Sequence, residues 1–142
     1  MAAVPSTAKA SPPYGTSPPC NGTQAEQWVA HRYRQQGWEI LAQNYRRRGT
    51  ELDLVAFKGG TVAFIEVKAR KELVPLVGIV EALLPAAKQA ALQRGAMTFL
   101  QENEGRLAWK HARFDLVVLA LAPKAALQVL FFPDVLGGAR IG

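Results

Sequence analysis

Charged residues planted in apolar strands constrain this chain more than anything else in it. Glu51-Leu52-Asp53 opens one strand-like run, and Glu66-Val67-Lys68 lies near the end of the next. Residues 51–57 and 61–69 are rich in Val, Phe, Leu and Ile, and Lys58-Gly59-Gly60-Thr61 between them is a turn signal. Gly-Gly suits a two-residue hairpin loop, which pairs Lys58 with Thr61 and sets the register outward from there. Counting back, Asp53 faces Glu66 and Glu51 faces Lys68. Side chains alternate with period two, so these four share a face with Val55, Phe57, Val62 and Phe64, while Leu52, Leu54, Ala56, Ala63, Ile65 and Val67 take the other. Both faces look covered, as in an interior sheet element.

Directly opposed residues have Cβ atoms about 5 Å apart, so Asp53 against Glu66 is repulsive unless something positive lies between them. A divalent cation is one solution. Carboxylate oxygens are hard ligands, and Mg²⁺ takes one or two from a protein and leaves its other positions to water and phosphate. The competing solution is a buried ion network without chemistry, in which Lys68 bridges Glu51 and a nearby arginine pairs with Asp53 or Glu66.

The 142 residues suit one domain, and 49% of them are hydrophobic, as a folded globule requires. We expect a Pro/Ser-rich disordered tail over residues 1–21, a single domain over 22–135 and a frayed end over 136–142. Pro5, Pro12, Pro13, Pro18 and Pro19 crowd the tail, with no apolar helical core of the signal-peptide kind. The longest apolar run, Leu116 to Ala122, is too short to cross a bilayer, so no membrane partner is expected. Cys20 is the only cysteine, which excludes a disulfide within the chain and makes a reducing cytoplasm the simplest location. The formal charge of +6 peaks at Arg46-Arg47-Arg48, just before the charged hairpin, and favours a polyanionic partner, with arginine forks on phosphates.

Along the chain, Thr23 and Glu26 have capping-box spacing and open a helix that Gly37 ends. Trp38 to Tyr45 reads as a first strand. Leu73 to Leu84, with Pro75, Gly78 and Pro85, reads as a loop. Ala86 to about Glu102 is an Ala-rich amphipathic helix after Pro85, with Lys88, Gln89, Gln93 and Arg94 among its polar positions. His111 to Leu121 and Leu127 to Phe132 are strands. The order points to an α/β fold, a mixed sheet flanked by helices. Asp115 beside Arg113 reads as a structural ion pair, and His31 and His111 are too far apart in sequence to suggest a metal pair.

Five stretches together resemble a known family: Gly22-Thr23-Gln24-Ala25-Glu26, Asn44-Tyr45-Arg46, Gly49-Thr50-Glu51-Leu52-Asp53-Leu54, Phe64-Ile65-Glu66-Val67-Lys68-Ala69-Arg70 and Arg113-Phe114-Asp115. The core resembles the PD-(D/E)xK restriction-endonuclease-like superfamily and, more closely, the bacterial family UPF0102, whose members look like Holliday-junction resolvases. Thr50 departs from the pattern, standing where that family tends to have glycine before the glutamate. The resemblance implies a restriction-endonuclease-like fold and a metal-dependent endonuclease using Mg²⁺ or Mn²⁺ on DNA, branched or structured DNA in particular. It makes Asp53 and Glu66 metal ligands with the Val67 carbonyl as a third, Lys68 the catalytic lysine and Glu26 an auxiliary acid. Glu51 then supports the site from behind, and Arg46, Arg47, Arg48 and Arg70 contact phosphates. A homodimer with paired active sites is compatible with it, with Trp109 or Phe131 at an interface. The alternative is a non-catalytic nucleic-acid-binding module of the same fold, acting with a repair or recombination partner.

Overall fold

The computed structural model describes residues 19, 21–71, 78–120 and 128–136, together with the backbone of 6–9. The elements run β1 (Ser6–Lys9), α1 (Gly22–Gln35), β2 (Glu39–Arg47), β3 (Thr50–Lys58), β4 (Thr61–Arg70), α2 (Ile79–Leu83), α3 (Ala86–Glu102), β5 (His111–Ala120) and β6 (Gln128–Phe132). They form one mixed sheet in the order β1-β6-β5-β4-β3-β2. All neighbours are antiparallel except β4 and β5, whose parallel pairing requires the crossover that α2 and α3 supply.

The Gly-Gly turn does set the register expected of it, with Lys58 opposite Thr61 and Leu54 opposite Ile65. Helices cover the two faces. α3 lies over a core of Leu52, Val55, Val62, Phe64, Phe114 and Leu116, into which it sends Leu92, Ala96 and Phe99. On the other side, α1 contributes Ala25, Trp28, Val29 and Tyr33 to a core with Leu54, Ala56, Ala63, Ile65 and Val67. β4 is buried from Val62 to Val67, as an interior strand with a helix on each side should be. A Cβ on Gly95 would come within 3.2 Å of the Thr50 hydroxyl and 3.3 Å of Leu52, so glycine lets α3 press close to β3.

Three boundaries differ from expectation. The helix cap is Asn21, whose side chain accepts the Gln24 N–H at 2.8 Å, two residues earlier than the Thr23/Glu26 box. Part of the stretch read as a loop coils into the five-residue α2 once Ile79 is buried, while residues 72–77 lie outside the described residues. Within the stretch expected to be a tail, Ser6–Lys9 pairs antiparallel with β6, because an edge strand offers unpaired backbone groups to any extended segment that reaches it. Cys20 and residues 137–142 lie outside the described residues.

Candidate active site

The strand ladder breaks where the charges begin. β2 and β3 pair Gln43 with Leu54 and Tyr45 with Leu52, leaving Asn44 and Asp53 opposite one another without a pairing. Asn44 takes the left-handed conformation, φ 52°, which asparagine tolerates better than most residues. Alternation therefore slips. Leu52 packs on the α3 face with Val55, whereas Leu54 packs on the α1 face. The expectation that Leu52 joins Leu54 and Ala56 is corrected here, because strict period-two counting holds only along an unbroken strand.

On β4 the pairing with β3 ends at Ile65. Beyond it Asp53 still reaches across, and its Oδ2 accepts the Val67 N–H at 2.8 Å. Its carboxyl also shares a hydrogen bond with Glu66. The two acids meet as the register count expects, through side chains rather than through the ladder. Glu66 is buried at 4% exposure, and its Oε2 lies 2.8 Å from Lys88 Nζ and 3.6 Å from Lys68 Nζ.

The charges respond to this crowding. Burial pushes the Asp53 carboxyl up, and the hydrogen bond and charge of Glu66 add to it, reaching about 8; the Val67 N–H works in the opposite direction. Burial also acts against Glu66, but its bond with Asp53 and the ammonium groups of Lys88 and Lys68 hold it below the ordinary glutamate value. Lys88 loses solvation as well, yet Glu66 and the neighbouring acids raise its affinity for its proton. In this arrangement Asp53 keeps its proton and leans on an ionised Glu66, with Lys88 close to Glu66 and Lys68 slightly farther away.

Glu51 does not face Lys68. It is exposed and pairs with Arg46 at 3.4 Å, since beyond the break β3 keeps its partner β2 but not β4. Because the cap belongs to Asn21, Glu26 is free of the helix start; it accepts a hydrogen bond from Asn44 and feels the charges of Glu51 and Glu66. Burial, then Glu51, raises its carboxyl. Glu26 thus stands beside the pair, with no bond to it.

The arginines divide. Arg46 is held by Glu51, and Arg48 lies exposed in the β2–β3 turn at φ 39°. Arg47 donates to Glu102 at 3.1 Å and stacks 4.4 Å over Tyr45, whose hydroxyl also donates to Glu102. Arg70 turns back to its neighbour's Ala69 carbonyl at 2.9 Å.

Asp115 forms a separate network on the α1 face, bound by Tyr33, Arg113 and the Asp134 N–H. His31 lies on α1 and His111 at the start of β5. Among the described residues, no three His, Cys, Asp or Glu side chains converge as a ready metal cage. The donors for a hard cation are two carboxylates, Asp53 and Glu66, beside the Val67 backbone, a set that suits an ion keeping much of its water.

Lys88 is the residue that sequence reasoning placed only on a polar helix face. One local signal was present: it sits in the first turn of α3, where the helix dipole disfavours a cation, so a lysine there needs an acid from another element. Which acid is a matter of the crossover.

These features define an α/β protein with a mixed sheet and a buried acid–lysine cluster at the open end of its central hairpin. The chain belongs to UPF0102: the family model described as "Uncharacterised protein family UPF0102" matches residues 25–119. A UPF0102 protein of Pseudomonas entomophila is 42% identical over 105 residues, covering 72% of this chain and 81% of that relative. One from Trichlorobacter lovleyi is 35% identical over 114 residues, 80% of this chain and 87% of its own length. One from Synechococcus is 36% identical over 124 residues, 83% and 88% respectively. No helix among the described residues is long and apolar enough to cross a membrane.

Proposed function

We propose that this site hydrolyses phosphodiester bonds in DNA with Mg²⁺ or Mn²⁺, branched or structured DNA being the preferred class. The reading rests on one observation: Asp53 and Glu66 are brought together in the sheet interior with, among the described residues, lysines as their cationic neighbours at bonding range. Opposed carboxylates repel each other and repel a phosphate, so a site meant only to bind nucleic acid has no use for them. Asp53, Glu66 and the Val67 carbonyl would hold the ion, which when bound polarises a phosphoryl oxygen and makes a bound water acidic.

The chain's own groups account for the rest. Lys68, on the same strand as Glu66, would hold the attacking oxygen or the developing charge on the phosphate. Glu26, with its carboxyl raised by burial, would serve as an auxiliary acid. Arg46 and Arg48, exposed on β2 and its turn, would contact phosphates and position the substrate without reading its sequence. Arg47 is the weakest of the expected phosphate contacts because Glu102 already engages it, and Arg70 is occupied by a backbone carbonyl.

A second reading is a non-catalytic nucleic-acid-binding module of the same fold. It draws support from the absence of a third converging acid among the described residues.

The deciding experiment is a cleavage assay on single-stranded, duplex, flapped and four-way-junction DNA with Mg²⁺ or Mn²⁺, with D53N and E66Q beside the wild type. Metal-dependent cutting absent from both variants supports the nuclease and names its substrate. Salt-sensitive binding without cutting on any substrate supports the binding module, and binding that ignores ionic strength removes the electrostatic part of both.

A further inference from the structure

Glu66 carries a cation already. Lys88 Nζ stands 2.8 Å from its Oε2, the shorter of the two lysine contacts on that atom. The lysines reach it differently. Lys68 comes from the same strand two residues on, and its side chain is 25% exposed. Lys88 comes from the first turn of α3, with 34% of its side chain exposed. That turn is firmly held: the Gln89 side chain donates to the Leu84 carbonyl at 2.7 Å, and farther along Gly95 seats the helix against Thr50 and Leu52. The anchor is rigid and the arm is not. Lysine presents a compact point charge on a flexible four-carbon stem, so it satisfies a carboxylate without the two-pronged lock of an arginine and can swing to water at small cost.

We propose that Lys88 is a resident substitute for the catalytic cation: it holds Glu66 in the metal-free protein, and a divalent ion must displace it to bind. The inference rests on the metal-dependent reading above and adds to it a residue that sets cation affinity. Without the ion, Lys88 balances the buried charge of Glu66, to which Asp53 is hydrogen-bonded, so the site stays folded. When the ion arrives, its two charges replace the single charge of Lys88 on the same oxygen, and the ammonium withdraws toward solvent. Lys88 therefore makes the site selective for ions of high charge, since a monovalent ion gains nothing over the ammonium it would evict. It is a positioning residue, acting through Glu66.

The test is Mn²⁺ binding to the full chain by calorimetry without nucleic acid, on wild type, K88M, K88R and E66Q, with K58M as a control for lost charge. Lys58 sits at the far end of the hairpin, where it donates to the Gln36 carbonyl. The expected result is Mn²⁺ affinity at least ~10-fold higher in K88M, equivalent to about 1.4 kcal/mol, within about twofold of wild type in K58M, below wild type in K88R, whose two-pronged guanidinium is harder to evict, and lost in E66Q. In EDTA, K88M should also melt below wild type, with Mn²⁺ closing the gap. Equal Mn²⁺ affinity in wild type and K88M, both binding, overturns the substitution while leaving the metal site standing. No Mn²⁺ binding in any folded variant overturns the metal reading and this inference with it.

Discussion

Two places in this molecule bury acids in strands, and their neighbours treat them in opposite ways. At Asp115 one carboxylate meets three donors, the Tyr33 hydroxyl at 2.7 Å and Arg113 at 3.1 Å on Oδ2 and the Asp134 N–H at 3.0 Å on Oδ1, with the Arg113 guanidinium also ion-paired at 3.1 Å from Oδ1. Burial and the Asp115 charge push the Tyr33 phenol far up, so it stays a donor, and Trp38 lies under the Arg113 guanidinium at 4.9 Å. At the hairpin, Asp53 takes one backbone N–H, and Glu66 faces two lysines. A saturated acid is a fastener. Paired acids short of donors are held in tension by the fold, and such tension is what a cation or a reaction can use.

The contrast is broken most sharply by amide substitutions at each place. D53N and E66Q should lower metal-dependent cleavage by at least ~100-fold, given the share of transition-state stabilisation that a metal and its charges carry. Their circular dichroism and melting should remain near wild type. Asp115→Ala should do the reverse. Removing that acid strands a half-buried guanidinium and a buried hydroxyl, and we expect a loss of about 2 kcal/mol in urea unfolding, with cleavage by the remaining folded fraction unchanged. If D115A instead abolishes cleavage at full stability, the network belongs to the active site and the two regions are not distinct.

Y33F probes the same fastener more gently. It deletes one of the donors to Asp115 while keeping the ring packed at 5.7 Å from Trp38, and should cost about 1 kcal/mol. A loss near zero would show that Arg113 and the Asp134 N–H suffice.

The remaining test is one of pH. Asp53 holds its proton up to about 8 in the fold, whereas an unfolded aspartate releases it near 4. The stability that proton brings is complete below the unfolded value and is lost as pH rises through about 8. Glu66, lowered in the fold, contributes nothing variable above pH 5. Wild type in EDTA should therefore lose melting temperature between pH 5 and 9 that D53N does not lose. Parallel curves for the two proteins would mean that Asp53 and Glu66 do not share a proton.

Much of the architecture was written locally. Gly59-Gly60 determines the pairing of Lys58 with Thr61, and the helical spacing after Pro85 marks out Ala86–Glu102. The meeting of Asp53 with Glu66 follows from counting back along that register, and so does the interior position of β4. Counting failed one step farther. A left-handed Asn44 opposite Asp53 sends Leu52 to the other face and gives Glu51 to Arg46 instead of Lys68. No property of Leu52 or Glu51 announces that break, because its cause lies on the neighbouring strand.

The sequence alone determined the hairpin, its register and the identity of two acids and a lysine, since turn chemistry and period-two alternation act over a few residues. Family membership was legible in those same stretches. Tertiary structure decided which cations meet the acids. Lys88 reaches Glu66 only because the β4–β5 crossover lays the start of α3 beside the strand, and Glu26 stands free at the site only because Asn21 takes the helix cap. Those outcomes depend on how distant elements are packed, and charge pairing across such distances is selected by the whole core rather than by neighbouring residues.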